Sequence, residues 1–285
     1  MTEERDDHAG GELVRGVTEH RSFLVGLAYR MLGSVAEAED VVQDAFVRVA
    51  GVDDIREPRA YLARVVTHLC LDRLKSARAK REEYVGMWLP EPVVEDPATP
   101  IAEDISVALM LALERLSPLE RAAFLLHDVF DMDYAVVAET LDRSEAACRQ
   151  LAARAREHVR SEQPRYPADE KIVDAFAGAI ATGDVTTLAS LLAEDAVFYS
   201  DGGGKKKAAL NPILGRAKIV RFAEGIRGKR PTLDAVERVR INGLPGFVLH
   251  SDEGYETIAF EIVDGLIVRI YAVRNPDKLG HLSRS

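Results

Sequence analysis

The sequence is poor in the features that mark disulfide scaffolds, zinc ribbons and membrane proteins. Its two cysteines, Cys70 and Cys148, lie far apart, and no Cys-x-x-Cys pair occurs. This excludes a disulfide framework and a zinc ribbon, and it fits a reducing compartment. No stretch approaches the roughly 18 apolar residues of a membrane span, and the acidic start MTEERDDHAGGE has no signal-peptide core. We therefore expect a soluble, cytoplasmic protein.

The sequence does contain enough apolar material for folded domains. It has 285 residues, of which 47% are hydrophobic. At about 150 residues per domain, this length predicts about two domains and excludes wholesale disorder. We interpret both cysteines as residues of helix interfaces, with redox sensing as the alternative.

The net charge of −10 conceals two basic segments. Residues 56–81 hold eight basic and two acidic groups, and residues 143–160 hold five and two, whereas residues 82–142 hold two and fourteen. Because salt confines electrostatic interactions to about 10 Å, the local charge matters more than the total. Two basic segments, each on a helical pattern, favour nucleic-acid binding over two solvated helix faces.

Hydrophobic spacing predicts helices throughout the first half of the chain. A break at 32–34 separates two helices, and the second exposes a polar face with Glu37, Asp40, Gln43 and Asp44. Pro58 opens a third helix, which carries the first basic segment. Residues 86–100 hold four prolines and no basic residue, which predicts a linker. Its apolar Trp88 and Leu89 indicate that it docks, the alternative being a locally packed tryptophan.

The second basic segment has the pattern of a helix-turn-helix. Ser117, Pro118 and Glu120 form a capping box that starts one helix, which we expect to extend to Phe130. A short helix over 133–141, a turn and a basic helix ending at Arg160 follow. At 100° per residue the last helix should bury one stripe and present the opposite one to DNA. The predicted buried stripe is Ala147, Leu151, Ala155 and Val159, and the predicted exposed stripe is Arg149, Ala153, Arg156 and Arg160.

From Ala168 the pattern becomes that of an α+β domain. Two helices, a strand over 196–200 and a glycine turn precede a further helix and four alternating strands. Asp264-Gly265 is a typical hairpin turn between the last two strands. Helices followed by an antiparallel meander predict a sheet with one covered face.

In this order the chain resembles bacterial RNA polymerase sigma factors of the extracytoplasmic-function (ECF) group. The motifs that carry the resemblance are AEDVVQDAF at 38–46, YLARVV at 61–66 and the segment 144–156. The extension resembles a SnoaL-like domain, and three motifs typify the subfamily that carries one: WLPEP at 88–92, DGGGK at 201–205 and NPDKL at 275–279.

The resemblance implies a multi-domain fold: two all-α sigma domains followed by an α+β SnoaL-like cone. The expected bounds are 14–85 for the region 2 bundle, 86–104 for the proline-rich linker, 105–162 for the region 4 helix-turn-helix and 168–281 for the cone. The expected partners are core RNA polymerase, through its β′ clamp coiled coil and β flap, and promoter DNA. No membrane, separate anti-sigma factor, catalytic residue, cofactor or metal is expected.

The resemblance also assigns residues to each partner. Polymerase would be bound by Asp40, Gln43 and Asp44. The minus-ten promoter element would be bound by Arg64, His68, Arg73, Lys75, Arg78 and Arg81, with His68 standing where many relatives carry Asn. The minus-thirty-five element would be bound by Arg149, Gln150, Ala153, Arg154, Arg156 and Arg160. We expect Arg156 and Arg160 to contact phosphates.

A fourth set of residues would connect the cone to the linker and the sigma domains, and so regulate the factor in cis. It comprises Trp88, Leu89, Pro90, Asp201, Gly202, Gly203, Gly204, Lys205, Asn275, Pro276, Asp277, Lys278 and Leu279.

Two other interpretations of the sequence stay open. The cone could be a ligand sensor or a cyclase- or isomerase-type enzyme, with Tyr199, Asp201, His250, Asp252 and Tyr255 lining a cavity. A dimeric repressor would also carry a helix-turn-helix, but it would leave the acidic helix without a purpose.

Overall fold

The computed structural model describes residues 6–50, 52, 55, 57–82, 84–95, 106–160, 170–229 and 231–284. The chain forms two units: Met1–Lys80 with Ala108–Gln163, and Arg81–Val107 with Pro164–Ser285. The proline-rich segment therefore belongs to the same unit as the C-terminal sheet. No helix in the described part of the chain is long and apolar enough to cross a membrane.

The first unit begins with three helices, α1 (Asp6–Leu32), α2 (Val35–Val49) and α3 (Pro58–Glu82). Gly33, with φ 75°, ends α1. Ser34 caps α2 by accepting a hydrogen bond from the Glu37 amide at 3.3 Å. These boundaries confirm the predicted break and the start of α3 at Pro58. Buried apolar side chains line the contacts between the three helices, among them Leu24, Leu27, Val41, Val42, Leu62 and Val66.

The first unit continues with α4 (Val107–Glu114), α5 (Pro118–Phe124), α6 (Tyr134–Leu141) and α7 (Glu145–Arg160). The capping box at Ser117 and Glu120 is present as predicted. The helix predicted to extend to Phe130 changes instead into a π-helical turn over Leu125–Val129. The sequence also predicts a helix from Ile101 to about Leu116, of which residues 101–105 lie outside the described residues.

The orientation of α7 differs from the angular prediction. Its buried stripe consists of Cys148, Ala152, Ala155 and Val159. Two of the four predicted inward positions, Ala147 and Leu151, are only half-buried. The observed stripe is shifted by about one residue position from the predicted one, and Arg156 is half-buried beside residues that precede α7. Cys70 is also fully buried, and burial raises the pKa of its thiol.

The second unit contains three helices and a six-stranded sheet. The helices are α8 (Glu170–Thr182), α9 (Val185–Leu191) and α10 (Arg216–Ile226). The strands are β1 (Leu192–Asp201), β2 (Ile213–Leu214), β3 (Leu233–Ile241), β4 (Leu244–Ser251), β5 (Gly254–Val263) and β6 (Leu266–Val273). Their spatial order is β2-β1-β6-β5-β4-β3.

Strands β3 to β6 form the predicted antiparallel meander, with Asp264 and Gly265 at positive φ in the last hairpin. β1 pairs in parallel with β6, which sequence spacing did not predict. One sheet face packs on the helices through a core that includes Phe176, Phe247, Phe260 and Ile270. The rings of Phe176 and Phe260 meet edge to face at 4.9 Å. This arrangement is the α+β cone that the resemblance implies.

The proline-rich segment extends the sheet at the outer edge of β3. Val94 bridges Ile241, and the Glu95 amide donates to the Arg240 carbonyl at 2.9 Å. Asn242 donates its amide to the Val93 carbonyl and accepts from the Val93 amide through its side chain. The segment is thus held by main-chain hydrogen bonds, as an added strand would be.

Gly246 on β4 has no room for a side chain, because a methyl group there would lie 2.2 Å from the Ile258 carbonyl oxygen. We expect Gly246→Ala to lower the free energy of unfolding of this unit by about 1–3 kcal/mol. Gly225→Ala in α10, where nothing lies within 4 Å, is the control and should leave stability equal or raise it by up to about 1 kcal/mol. Urea unfolding of the full chain measures both. Equal midpoints for Gly246→Ala and the parent would contradict the packing argument.

Candidate functional site

The acidic face of α2 is exposed and has a neighbour that the sequence did not predict. Asp40, Gln43 and Asp44 are all exposed, and they lie within about one turn of one another. Arg73 of α3 lies against this face, with its guanidinium 3.1 Å from the Asp44 carboxylate and 3.8 Å from that of Asp40. It also donates to the Glu37 carbonyl at 3.2 Å. The structure therefore brings a predicted DNA-binding residue to the predicted polymerase-binding residues.

The other predicted minus-ten residues occupy different surroundings along α3. His68 is exposed, and Lys75, whose side chain is 76% exposed, pairs with Asp72 of the same helix at 2.9 Å. Arg64 pairs with Glu139 of α6 at 2.5 Å. Arg78 and Arg81 lie in α3, but their side chains are outside the described residues.

Recognition-helix residues fall into two groups. Arg149, Gln150, Ala153 and Arg154 are exposed on α7, as a DNA-reading surface requires. Arg156 is bonded to neighbouring side chains instead, while its own side chain is 39% exposed. It donates to the Asp128 carboxylate at 2.5 Å and to the Tyr134 hydroxyl at 2.8 Å, and the Asp128 bond raises the pKa of its guanidinium. The side chain of Arg160 lies outside the described residues.

Tyr134, at the start of α6, organises the surface of the helix-turn-helix, a role that sequence reasoning missed. Its hydroxyl accepts from Arg156, and its ring lies 5.0 Å below the Arg149 guanidinium and 3.8 Å from the His127 ring. Tyr134 therefore contacts both Arg149, a predicted DNA-reading residue, and Arg156.

Within the first unit, a buried arginine joins the N-terminal three-helix bundle to the helix-turn-helix. The Arg121 side chain on α5 is 3% exposed and pairs with Glu114 at 2.9 Å. It donates to the Met31 carbonyl in the last turn of α1, where a positive charge is favourable. Phe23 and Phe130 meet edge to face at 4.9 Å across the same contact. Nothing in the sequence distinguishes Arg121 from an exposed arginine.

In the second unit, Asp201 anchors the linker to the cone. Its side chain is fully buried and lies 2.7 Å from the Lys278 ammonium. It accepts from the Tyr84 hydroxyl at 2.6 Å and from the Leu89 amide at 2.9 Å. The Gly203 amide adds a fourth bond at 3.0 Å. Two donors therefore come from the cone and two from the linker, which in the structure includes Tyr84 and Val85, just before its predicted start at 86.

Lys278 completes this cluster from the other side. Its ammonium donates to the Leu89 carbonyl and lies 4.2 Å from the centre of the Trp88 ring. Leu89 is buried, with 1% exposure, and Pro90 is buried too, whereas Trp88 is only half-buried. Leu89 is thus the apolar anchor of the linker, and the Trp88 ring covers the Lys278 ammonium.

Tyr84 is the member of the cluster that the sequence analysis did not find. Its hydroxyl accepts from the Asn275 amide at 2.9 Å while donating to Asp201. Burial, followed by the bond to Asp201, raises the pKa of its phenol. It lies outside the WLPEP motif, and no spacing rule points to it.

The glycine and NPDKL motifs meet in this cluster. A side chain on Gly203, which has φ +59°, would lie 2.4 Å from that of Asn275, so the chain needs glycine there. Gly204 faces Val85 of the linker, and Gly202 approaches the Lys206 carbonyl. Lys205 pairs with Asp277 at 2.7 Å. Pro276 starts a short helical turn, after which Leu279 is buried.

The residues considered for catalysis differ in their surroundings. Asp201 is occupied by the linker, and Tyr199 stacks on Tyr271 at 5.4 Å. His250 lies beside Tyr255, with ring centres 4.8 Å apart, while Asp252 is exposed. Among the described residues no group of three or more His, Cys, Asp or Glu side chains could hold a metal ion.

Comparison with known proteins identifies two sigma regions in the chain. Residues 17–80 match Sigma-70 region 2 and residues 106–159 match Sigma-70 region 4. The chain is 41% identical to the ECF RNA polymerase sigma factor SigJ of Mycobacterium tuberculosis over 287 residues, 90% of each chain. The crystal structure of that SigJ matches with a TM-score of 0.75 and 38% identity, covering 91% of this chain and 95% of the other.

The chain belongs to the ECF sigma factors. A second relative, the probable ECF sigma factor SigI of the same species, is 39% identical over 186 residues, 61% of this chain and 64% of that one. As an ECF sigma factor the protein binds core RNA polymerase and directs promoter-specific initiation of transcription. After its two sigma regions the chain carries an α+β domain with a six-stranded sheet, at the place where the resemblance predicts a SnoaL-like domain.

The fluorescence of Trp88, the one tryptophan of this sigma factor, reports on the linker cluster. Lys278→Met leaves the buried Asp201 carboxylate without its counter-ion, so we expect a red-shifted Trp88 emission and a loss of about 3–5 kcal/mol in the unfolding of the second unit. Lys205→Met removes an exposed pair on the same surface and serves as the control, with an expected loss under about 1 kcal/mol. An unshifted emission for Lys278→Met would contradict the linker anchor.

Proposed function

We propose that Asp40, Gln43 and Asp44 bind the β′ clamp coiled coil of core RNA polymerase. The observation that carries this proposal is the exposed acidic face of α2: the side chains of Asp40 and Asp44 are 68% and 57% exposed. Carboxylates presented along one helix face suit the guanidinium groups of a partner helix. Gln43 lies on the same face and offers both a donor and an acceptor.

We propose further that the two basic helices bind the promoter. The exposed His68 and Lys75 of α3 would meet the minus-ten element, together with Arg64 once its pair with Glu139 opens. Arg149, Gln150, Ala153 and Arg154 would read the minus-thirty-five element in the major groove. The bonds of Arg156 to Asp128 and Tyr134 support a role in shaping this surface and leave phosphate contacts to Arg154 and Arg160. Region 4 would also meet the β flap.

The first unit, as the structure has it, would be a closed state. Arg64, proposed for the minus-ten element, pairs with Glu139 of the helix-turn-helix that would read the minus-thirty-five element. Two elements about 25 base pairs apart are separated by about 85 Å at 3.4 Å per base pair. A unit in which these side chains touch cannot span that distance, so its two sigma modules must separate before both elements are bound.

We propose that the cone controls this separation in cis and takes the place of a separate anti-sigma factor. The linker joins the two sigma modules, and its residues 84–95 are bonded to the cone through Asp201, Lys278 and the edge of β3. A linker held in this way restrains how far the modules can move apart. Because Asp201 serves this contact, we propose no catalytic role for the cone.

Charge reversal tests the polymerase-binding face. We expect Asp40→Lys with Asp44→Lys to weaken binding of the full chain to core polymerase by at least about tenfold, since like charges would then face the partner arginines. Asp252→Lys, an exposed carboxylate in the turn after β4, is the matched control. Fluorescence anisotropy without DNA gives the affinity. Unchanged binding of the double variant would refute the assignment.

Release of the linker tests control in cis. In transcription with purified core polymerase we expect Lys278→Met to raise the rate of promoter-dependent initiation about threefold or more, because a freed linker favours separated modules. Lys205→Met should transcribe at the parental rate. A Lys278→Met protein with a folded cone and a parental rate would show that the linker contact does not limit initiation.

A further inference from the structure

Arg73 lies on the basic helix α3, but its contacts are with α2. Its side chain is 31% exposed, and its guanidinium nitrogens lie 3.1 Å from the Asp44 carboxylate and 3.8 Å from that of Asp40. The same group donates to the Glu37 carbonyl in the first turn of α2 at 3.2 Å. These three contacts of Arg73 all belong to α2, the helix whose exposed face carries the acidic residues.

We propose that Arg73 is a positioning residue for polymerase binding, not a contact to promoter DNA. The inference rests on the proposed role of Asp40 and Asp44. These carboxylates stand one helical turn apart, where like charges repel each other. Arg73 offsets this repulsion: its guanidinium holds Asp44 by a hydrogen bond and pairs with Asp40 at longer range, in the orientation that a partner meets. Without it, two mobile side chains would have to be ordered when polymerase binds.

Lys75, two residues further along α3, differs from Arg73 in its exposure and its contacts. Its side chain is 76% exposed, and its ion pair is with Asp72 of its own helix. An exposed lysine can meet a phosphate without breaking a contact between helices. Arg73 could reach DNA only by giving up the α2 carboxylates, which would uncover their negative charge beside a polyanion.

The exposure of Asp40 and Asp44 also supports a positioning role for Arg73. Arg73 is about two-thirds covered, whereas the Asp40 and Asp44 side chains are 68% and 57% exposed. The carboxylates can therefore accept further donors from a partner while Arg73 stays behind them. A carboxylate has about four acceptor positions, so one arginine does not saturate it.

Two affinities, measured on the full chain, separate the roles. Binding to core polymerase without DNA and binding of the resulting holoenzyme to promoter DNA are titrated for Arg73→Gln, Arg73→Lys and Lys75→Gln. We expect Arg73→Gln to weaken core binding about three- to tenfold, and Arg73→Lys to restore part of the loss. Lys75→Gln should keep core affinity and lower the salt dependence of promoter binding by about one unit of slope.

A double-mutant cycle with Asp44→Asn tests whether Arg73 acts through the carboxylate. If it does, Arg73→Gln costs much less core affinity in the Asp44→Asn background than in the parent. Equal costs in both backgrounds would overturn the inference, because a purely structural effect would not depend on Asp44. Unchanged core affinity with weaker, less salt-dependent promoter binding would overturn it too, and would return Arg73 to the DNA surface.

The cycle also separates this inference from the proposed function on which it rests. If Asp44→Asn itself leaves core affinity unchanged, the assignment of the acidic face fails and the positioning role fails with it. If Asp44→Asn weakens core binding but Arg73→Gln does not, the acidic face stands and the positioning role alone is refuted.

Discussion

The buried ion pair between Asp201 and Lys278 is the interaction on which the second unit depends. A carboxylate removed from water is tolerated only when hydrogen bonds and a counter-charge replace its hydration. Asp201 has four such donors, and two of them, the Tyr84 hydroxyl and the Leu89 amide, belong to the linker. If the linker left, the fully buried Asp201 carboxylate would lose two of its four donors. Linker docking and the folding of this part of the cone are coupled for that reason.

Arg121 has a comparable place in the first unit, but its chemistry differs. Its charge is satisfied by Glu114 on one side and by the Met31 carbonyl on the other. When the two sigma modules separate, the pair with Glu114 can persist within the C-terminal module, and only the bond to Met31 must be replaced by water. The cost that Arg121 adds to the proposed opening is thus moderate, and the edge-to-face contact of Phe23 with Phe130 would be lost as well. A contact of this kind holds a resting state while still allowing polymerase binding to change it.

Local signals in the sequence predicted much of the fold, whereas the features that the sequence analysis missed depend on long-range contacts. Ser34 and Ser117 as caps, Pro58 as a helix start and Asp264-Gly265 as a hairpin turn each act within a few residues, so composition reveals them. Other features depend on partners from 7 to 191 positions away along the chain. These are the parallel pairing of β1 with β6, the bond of Arg156 to Asp128, and the roles of Tyr84 and Arg121. The motifs at 88–92, 201–205 and 275–279 marked where the linker cluster lies, but they carried no information on which atoms meet.

Chain length shows why anchoring the linker can control initiation. From the end of α3 at Glu82 to the start of α4 at Val107 there are 25 peptide steps, which extend to at most about 85 Å. With residues 84–95 held on the cone, only about two steps before them and twelve after them can extend, about 7 Å and 40 Å. The span between the two promoter elements is about 85 Å, so the free linker is barely long enough unless the modules themselves contribute to the reach. A docked linker fixes nearly half of that length along the cone. The proposed control by the cone therefore requires no contact with either sigma module, because the Asp201 cluster and the edge of β3 already restrict how much of the linker can follow the two modules.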